Sequence, residues 1–258
     1  KIKILALSDH PTINTGFSTI TMNILNRLYD TGNYDCTYMG QSIIHAQQLP
    51  MIEPEKILKA WAIDESDIKH FSTLWKIQER DKVPSVYLSD GTAFKFNLIG
   101  QGKDPYCKDI IQPIIKRLQP DIFFILLDTF MTYPWMLDMD LSPAKTIFYY
   151  PSDGEPFLPG GTGVCDLILK KMTKAVAMSK FAQNQVKTYH KMDTEYIPHA
   201  CDQTIFYPLP QEIKDQLKLK WGVHGKFVIG CVARNQPRKM MDVTIKAFAK
   251  FAKDKDDV

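Results

Sequence analysis

The amino-acid sequence predicts an α/β protein in which a mostly parallel sheet is flanked by helices. Short apolar runs, such as ILAL at residues 4–7 and IFFILL at residues 122–127, have no helical period and are typical of strands buried on both faces. Segments with apolar residues at three- and four-residue spacing alternate with these runs. This alternation favours a series of βαβ units.

The composition is that of an ordinary globular protein. Of the 258 residues, 45% are hydrophobic and 24% are charged. A chain of this length predicts one large domain or two smaller ones. The 32 basic and 29 acidic residues give a net charge of +3, which is too balanced for a protein with a concentrated nucleic-acid-binding face. We therefore expect no nucleic-acid partner, and a small, locally bound molecule as any anionic ligand.

The cysteines and apolar segments bear on the cellular compartment. The five cysteines are widely separated and show no spacing typical of a disulfide framework or a metal site. No apolar run approaches the length of a signal-peptide core or a membrane span. The sequence therefore predicts a soluble, cytoplasmic protein without a transmembrane segment, metal or other cofactor.

The first elements follow one another in a clear order. Residues 1–7 are predicted to form a strand, which ends at Ser8-Asp9-His10-Pro11. Thr15-Gly16-Phe17-Ser18 opens a helix, Gly32 ends it, and residues 35–40 form the second strand. Between residues 41 and 104 the sequence predicts a helix around residues 67–80 and a strand at residues 85–88.

A lone glycine before a helix, such as Gly16, is a weak indication of a ligand loop, since turn glycines are common.

The second half of the chain repeats the alternation of strands and helices. Ser179 is predicted to cap the helix that follows it. The remaining predicted elements are helices at residues 105–118, 164–172, 180–190 and 211–221 and strands at residues 122–127, 145–150, 175–178 and 195–197.

Three carboxylates follow predicted strands. Asp128 stands at the end of residues 122–127, and Asp153 and Glu155 lie in the loop after residues 145–150. Loops at the carboxyl ends of parallel strands carry the ligands of α/β proteins. Helix capping or turn formation accounts for such residues equally well.

Residues 227–250 contain the strongest local indication of a ligand. An apolar run at residues 227–233 predicts a buried strand, and the apolar spacing from Arg238 onward predicts a helix. Arg234 at the strand exit and Lys239 in the first helical turn place two cations where helix N–H groups bind anions. A bound diphosphate would explain a basic first turn, which helices otherwise disfavour. A solvated Arg/Lys pair on an exposed loop is the alternative.

Three segments, taken in their order, resemble a known family. They are AVAMSKFAQNQV from residue 175, YIPHACDQTIFYP from residue 196 and VIGCVARNQPRKMMDVTIKAFAKF from residue 228. Together they resemble the signature of the retaining GT-B glycosyltransferases of the large family numbered four, also called glycosyl transferases group 1. The resemblance covers residues 175–251, and the combination is far more specific than any one segment.

This resemblance implies two Rossmann-like domains. Residues 1–195 correspond to the amino-terminal, acceptor-side domain. Residues 196–258 correspond to the interdomain linker and the start of the carboxyl-terminal, donor-binding domain, which is expected to be incomplete. The family's paired-glutamate segment, which holds the donor ribose and sugar, has no counterpart in the sequence.

The resemblance also implies roles for individual residues. Arg234 and Lys239 match the two basic residues that the family uses on the donor diphosphate, and Gly16 matches its flexible donor- and acceptor-side loop. Asp153 is the candidate for the place where the family often has a histidine that contacts the transferred sugar. Asp153, Arg234 and Lys239 are thus the expected catalytic residues, and Gly16, Arg234 and Lys239 the expected donor-binding residues. The family usually has glycine where this chain has Ala200, Ala233 and Met240.

The leading functional interpretation is a metal-independent glycosyltransferase that moves a sugar from a nucleotide diphosphate sugar to an acceptor with retention of configuration. The acceptor class, whether carbohydrate, lipid or protein, stays open, and self-association through the second domain is expected to be possible. A sugar-nucleotide epimerase of GT-B fold and a non-catalytic binding domain are the alternatives. Turnover separates the binding domain from the enzymes, and the fate of the sugar separates the two enzymes.

Overall fold

The computed structural model of the chain divides into two compact units, Lys1–His199 and Ala200–Val258. The residues described are 1–11, 15–41, 76–80, 83–87, 93–94, 96–99, 104, 106–152, 154, 162–201, 203, 206–233, 235–253 and 255.

The first unit is built on a seven-stranded sheet in which every pair of neighbouring strands is parallel. The strand order is β10-β9-β8-β7-β1-β2-β6, and β3, β4 and β5 form a separate three-stranded sheet. The predicted α/β class with a mostly parallel sheet is therefore confirmed. The strands are β1 (Ile2–Asp9), β2 (Tyr34–Gln41), β3 (Lys76–Arg80), β4 (Val83–Tyr87), β5 (Ala93–Phe94), β6 (Asn97–Ile99), β7 (Ile122–Ile125), β8 (Lys145–Tyr150), β9 (Lys174–Ala177) and β10 (Glu195–Tyr196).

Helices cover both faces of the seven-stranded sheet. Side chains alternate along a strand, so Leu5 and Leu7 of β1 pack on one face while Ile4 and Ala6 pack on the other. The first face is covered by α2 to α5, and the second by α1 through Leu25. The helices of this unit are α1 (Gly16–Asp30), α2 (Ile111–Leu118), α3 (Thr129–Met136), α4 (Thr162–Lys171) and α5 (Lys180–His190).

Strand β1 is the point at which the chain changes direction across the sheet. From β1 the chain passes through α1 to β2, which pairs with β1 on one side. It later returns to β7, which pairs with β1 on the other side, and continues outward to β8, β9 and β10. The sheet is thus doubly wound, with a topological switch point between β1 and β7.

Two predictions in the first unit are wrong. Residues 76–80, expected at the end of a helix, form β3, because they pair in antiparallel register with β4 in a hairpin; residues 67–75 lie outside the described residues. The helix expected from residue 105 begins at Ile111, because Cys107 has a left-handed backbone with φ of 62° that does not continue a helix. The predicted strand at 85–88 corresponds to β4, with Leu88 outside the described residues.

The second unit contains α6 (Gln211–Lys220), a 3-10 turn at Pro237–Lys239 and α7 (Met241–Ala252). The strand predicted at residues 227–233 is wrong. The described residues of this run pair with no strand, and Phe227, Val228 and Ile229 are exposed. An apolar run becomes a strand when a neighbouring strand accepts its backbone hydrogen bonds, and the described part of this unit offers none.

The helix predicted from Arg238 begins instead at Met241. Met240 adopts a left-handed backbone with φ of 48°, so the preceding turn and α7 are separate elements. A left-handed backbone is most common for glycine. The family that residues 175–251 resemble usually has glycine at the position of Met240. The proposal that this unit begins a larger donor-binding domain stays a prediction.

Gly40 of β2 provides a test of packing at the carboxyl end of the sheet. A Cβ atom at this residue would lie 2.3 Å from His10 Cδ2 and 2.9 Å from His10 Cα. At Gly16, by contrast, an added Cβ would meet no atom within 4 Å. We expect Gly40→Ala to lower the free energy of unfolding by about 1–3 kcal/mol, because overpacking displaces the backbone of His10. Gly16→Ala is the matched control and should leave that free energy unchanged or slightly raised. Urea unfolding followed by circular dichroism measures both, and equal stability of the two variants would contradict the packing described.

Candidate functional site

The candidate site lies at the carboxyl ends of β1, β2 and β7. The loop after β1 leads to α1 on one face of the sheet, whereas the loop after β7 leads to α3 on the other face. Loops that diverge in this way open a crevice, which is where ligands bind in open α/β sheets. We call this region the switch-point edge and define it by Asp9, His10, Gly40, Gln41, Asp128, Thr129 and the first turn of α1.

The end of β1 is held by backbone contacts to β2. Asp9 and Gln41 are partners in the parallel register, and His10 N donates a hydrogen bond of 2.9 Å to Gln41 O. The Tyr38 hydroxyl donates to the backbone oxygen of Asp9. His10 is fully buried, and burial lowers its pKa to about 3, so the imidazole is neutral near pH 7. The end of β1 is therefore fixed to β2 by hydrogen bonds, and His10 adds no charge to this edge near pH 7.

Gln41 extends across the end of β1. Its Nε2 lies 3.4 Å from Asp9 Oδ1 and 3.6 Å from Met131 Sδ, near the start of α3. The Gln41 side chain is fully buried, and its Oε1 has no hydrogen-bond partner among the described residues. One amide thus bridges β2, β1 and α3, which are the elements around the switch point.

The amino terminus of α1 also opens at this edge. Thr15 caps the helix through a capping box in which Ser18 N donates to Thr15 Oγ1 at 3.2 Å and Thr15 N donates to Ser18 Oγ at 3.3 Å. Gly16 is the first residue of the helix, with open space around it. Gly16 therefore lies beside the switch point, and its contact with a donor stays a prediction.

Asp128 also lies at this edge. It precedes α3 with an extended backbone, and its side chain makes no capping hydrogen bond. Asp128 is the predicted carboxylate that follows β7, the strand bordering the switch point. Asp128 nonetheless occupies the N-cap position of α3, and its backbone oxygen accepts a hydrogen bond of 3.0 Å from Met131 N.

The helices of the first unit favour negative charge at the carboxyl edge. Each of α1 to α5 follows a strand of the parallel sheet and so begins at this edge. Within the described chain, none of these five helices has an acidic residue in its first turn, whereas α6 and α7 of the second unit have Glu212 and Asp242. The partial positive charge at the start of α1 is therefore not neutralised within its first turn, whereas Asp128 immediately precedes α3. An anion such as a phosphate group is favoured near the start of α1.

The other predicted site residues are elsewhere or outside the description. Asp153, Glu155 and Arg234 lie outside the described residues. Lys239 is the last residue of the 3-10 turn in the second unit, where it is exposed and its N donates to Gln236 O at 2.8 Å. Its predicted place in the first turn of a helix is thus corrected to the turn before α7. Its role toward a diphosphate stays a prediction.

The segment with the family-like Ile-Pro-His sequence is anchored to β8. The Tyr149 hydroxyl donates a hydrogen bond of 2.7 Å to Ile197 O, and the Tyr149 and His199 rings meet edge to face at 5.2 Å. Burial raises the pKa of Tyr149 to about 12, so the phenol stays protonated and able to donate. These contacts hold the last residues of the first unit against the sheet.

Neither a metal cluster nor a membrane helix is found among the described residues. Asp138 and Asp140 have the spacing of an Asp-x-Asp motif, but no group of three or more His, Cys, Asp or Glu side chains in the described ranges could hold a metal ion. The helices described also lack the combination of length and hydrophobicity that a bilayer crossing needs.

Sequence analysis missed Gln41 as a site residue. Asp9 and Gln41 are separated by 32 positions, and their contact depends on the register of two parallel strands. The sequence offered one indication of this contact. Gln41 directly follows a predicted buried strand, and the preceding strand of the chain also ends in polar residues, Ser8-Asp9. Register cannot be obtained from the hydrophobic pattern of strands that are buried on both faces.

The strand order defines a doubly wound α/β protein whose switch point lies between β1 and β7. No family model matches the chain, and no curated protein matches it. One solved structure that is similar to the chain is described as "Trehalose-6-phosphate from E. coli bound with UDP-2-fluoro glucose", with 8% identity and a TM-score of 0.42. The match covers 85% of this chain and 54% of that chain, so this chain spans about half the length of that structure.

The buried His10 predicts that the first unit loses stability in acid. Its pKa is lowered from 6.5 to about 3 in the folded chain, so between these values the unfolded chain binds a proton that the folded chain does not. The free energy of unfolding should therefore fall as the pH drops through this window, by up to about 1.4 kcal/mol per pH unit from this group. Urea unfolding of the parent and of His10→Phe, from about pH 7 to about pH 4, measures the difference. The variant should lose less stability on acidification, and an identical pH dependence in both proteins would show that His10 is not buried in its neutral form.

Proposed function

We propose that this chain belongs to a retaining glycosyltransferase of GT-B type, which moves a sugar from a nucleotide diphosphate sugar to an acceptor hydroxyl. The switch-point edge carries the proposal, since α1 begins there without an acidic residue in its first turn, and ligands of doubly wound sheets bind at the switch point. The ordered signature segments over residues 175–251 support the same class.

The proposed reaction depends on charge stabilisation. The bond between the anomeric carbon and the diphosphate oxygen breaks, the acceptor oxygen bonds to that carbon, and the proton of the acceptor hydroxyl passes to the departing diphosphate. Negative charge accumulates on the departing diphosphate, so preorganised cations and N–H groups lower the barrier. We assign Arg234 and Lys239 to this task. Each charge-assisted contact contributes about 1.5–3 kcal/mol.

The two units have different parts in this proposal. The first unit supplies the acceptor side, with Asp153 toward the transferred sugar or the acceptor. The second supplies the donor cations. Retention, independence of metals and the identity of the nucleotide, sugar and acceptor all belong to the proposal for the complete protein.

Removal of the two donor cations tests the assigned site. The double variant Arg234→Ala/Lys239→Ala should bind UDP-, GDP- or ADP-sugars at least about a hundredfold more weakly than the parent, because one diphosphate loses two charge-assisted contacts. The thermal midpoint should stay unchanged, since Lys239 is exposed. Isothermal titration with each nucleotide sugar measures the affinity.

The matched control is Lys250→Ala/Lys253→Ala, which removes the same charge from exposed positions at the end of α7. The control should bind the nucleotide sugar as the parent does. Equal affinity of the donor-cation variant and the control would reject the assigned site. A radiolabelled sugar that is isomerised on its nucleotide, with none transferred to an acceptor, would support the epimerase in place of the transferase.

A further inference from the structure

The buried amide of Gln41 is the least explained polar group at the switch-point edge. Its Oε1 has no hydrogen-bond partner among the described residues, although the side chain is fully buried. A buried acceptor without a partner costs free energy, so proteins satisfy nearly all such groups. An orphaned acceptor at the carboxyl end of a strand, beside the switch point, has the position expected of a group whose partner arrives with a ligand.

The surroundings of Gln41 hold its amide in one orientation. Nε2 faces Asp9 Oδ1 at 3.4 Å, and a carboxylate attracts the NH₂ group and repels the amide oxygen. Met131 Sδ, at 3.6 Å from Nε2, lies on the same side. With the NH₂ group engaged by both neighbours, Oε1 is the buried acceptor of this amide that lacks a partner among the described residues.

The charge of Asp9 restricts the chemistry of that donor. Asp9 is half-buried next to the amide, so an anion at this point would meet a like charge. A neutral hydroxyl donates to Oε1 without this repulsion. The carboxylate is itself an acceptor, so a second hydroxyl on the same molecule would be bound as well.

We propose that Gln41 and Asp9 form a subsite for the hydroxyl groups of an uncharged polyol, such as a monosaccharide or an oligosaccharide end, at the switch-point edge. The subsite binds neutral hydroxyl groups and disfavours phosphate groups at this position. This inference rests on the proposed function, because it names the chemical class of the acceptor substrate. Gln41 is a binding and specificity residue in this assignment.

Substitution of Gln41 separates this role from a structural one. Gln41→Met keeps the length of the side chain but removes the amide. If Gln41 serves a ligand, the variant should bind glucose, mannose or maltose about tenfold more weakly and should have an unchanged or higher thermal midpoint, since the orphaned acceptor is gone. If Gln41 serves the fold through Asp9 and Met131, the variant should be less stable and should bind saccharides normally. Ligand-observed NMR titrations and thermal unfolding of the 258-residue chain give the two readouts.

Gln185 supplies the matched control. It is also buried, its Oε1 is also without a partner among the described residues, and it lies within α5 away from the switch point. Gln185→Met should bind saccharides as the parent does. An equal loss of saccharide binding in both variants, or no saccharide binding by the parent, would overturn the proposal.

Replacement of Asp9 tests the rejection of phosphate and does not depend on the folding of Gln41→Met. The parent should bind glucose more tightly than glucose 6-phosphate, and Asp9→Asn should narrow this difference by about tenfold because the like charge is removed. A parent that prefers glucose 6-phosphate would overturn the assignment of a neutral ligand. Titration of the same proteins with nucleotide sugars keeps the two proposals separate. If saccharide binding depends on Gln41 but nucleotide sugars do not bind, the proposed function is rejected and this inference stands. If nucleotide sugars bind but saccharide binding does not depend on Gln41, this inference is rejected and the proposed function stands.

Discussion

The parallel pairing of β1 with both β2 and β7 is the constraint on which the rest of the first unit depends. Leu5, Ala6 and Leu7 of β1 are completely buried, and their register with β2 and β7 brings the ends of three strands together. Because the connections after β1 and β7 run to opposite faces of the sheet, this pairing also opens the crevice at their carboxyl ends. A shift of register by one residue would turn Asp9 away from Gln41, and the contact between their side chains would be lost.

Two kinds of polar group meet at this edge, and they suit different parts of a substrate. Helix amino termini, α1 foremost, offer N–H groups and partial positive charge, which suit a phosphate. Asp9 and the buried Oε1 of Gln41, which has no partner among the described residues, offer acceptors that suit neutral hydroxyls. A sugar nucleotide beside a hydroxyl-bearing acceptor requires both chemistries close together, and the proposed glycosyl transfer and the polyol subsite are connected through this arrangement.

The sequence predicted local features well and long-range contacts poorly. The strand at Lys145–Tyr150 has the bounds expected, and Ser179 and the Thr15-Gly16 pair begin helices as expected, because caps and apolar runs act over a few residues. The contact of Asp9 with Gln41 was not predictable, since register has no local signature. Residues 227–233 have the composition of a strand and yet form none among the described residues, because a strand requires a partner that composition does not supply. Of the proposed site residues, Gly16 is at the edge expected, whereas the roles of Asp153, Arg234 and Lys239 stay predictions.

The central claim is that ligand binds at the carboxyl ends of β1, β2 and β7, and hydrogen–deuterium exchange measures this most directly. Exchange of the chain would be compared with and without UDP-glucose, GDP-mannose or ADP-glucose at saturating concentration. We expect slower exchange of the amides in the first turns of α1 and α3, at residues 16–18 and 129–131, because a ligand bound at this edge would shield these helix ends from solvent. Protection confined to the opposite edge of the sheet, at residues 31–34 and 119–121, would contradict the account.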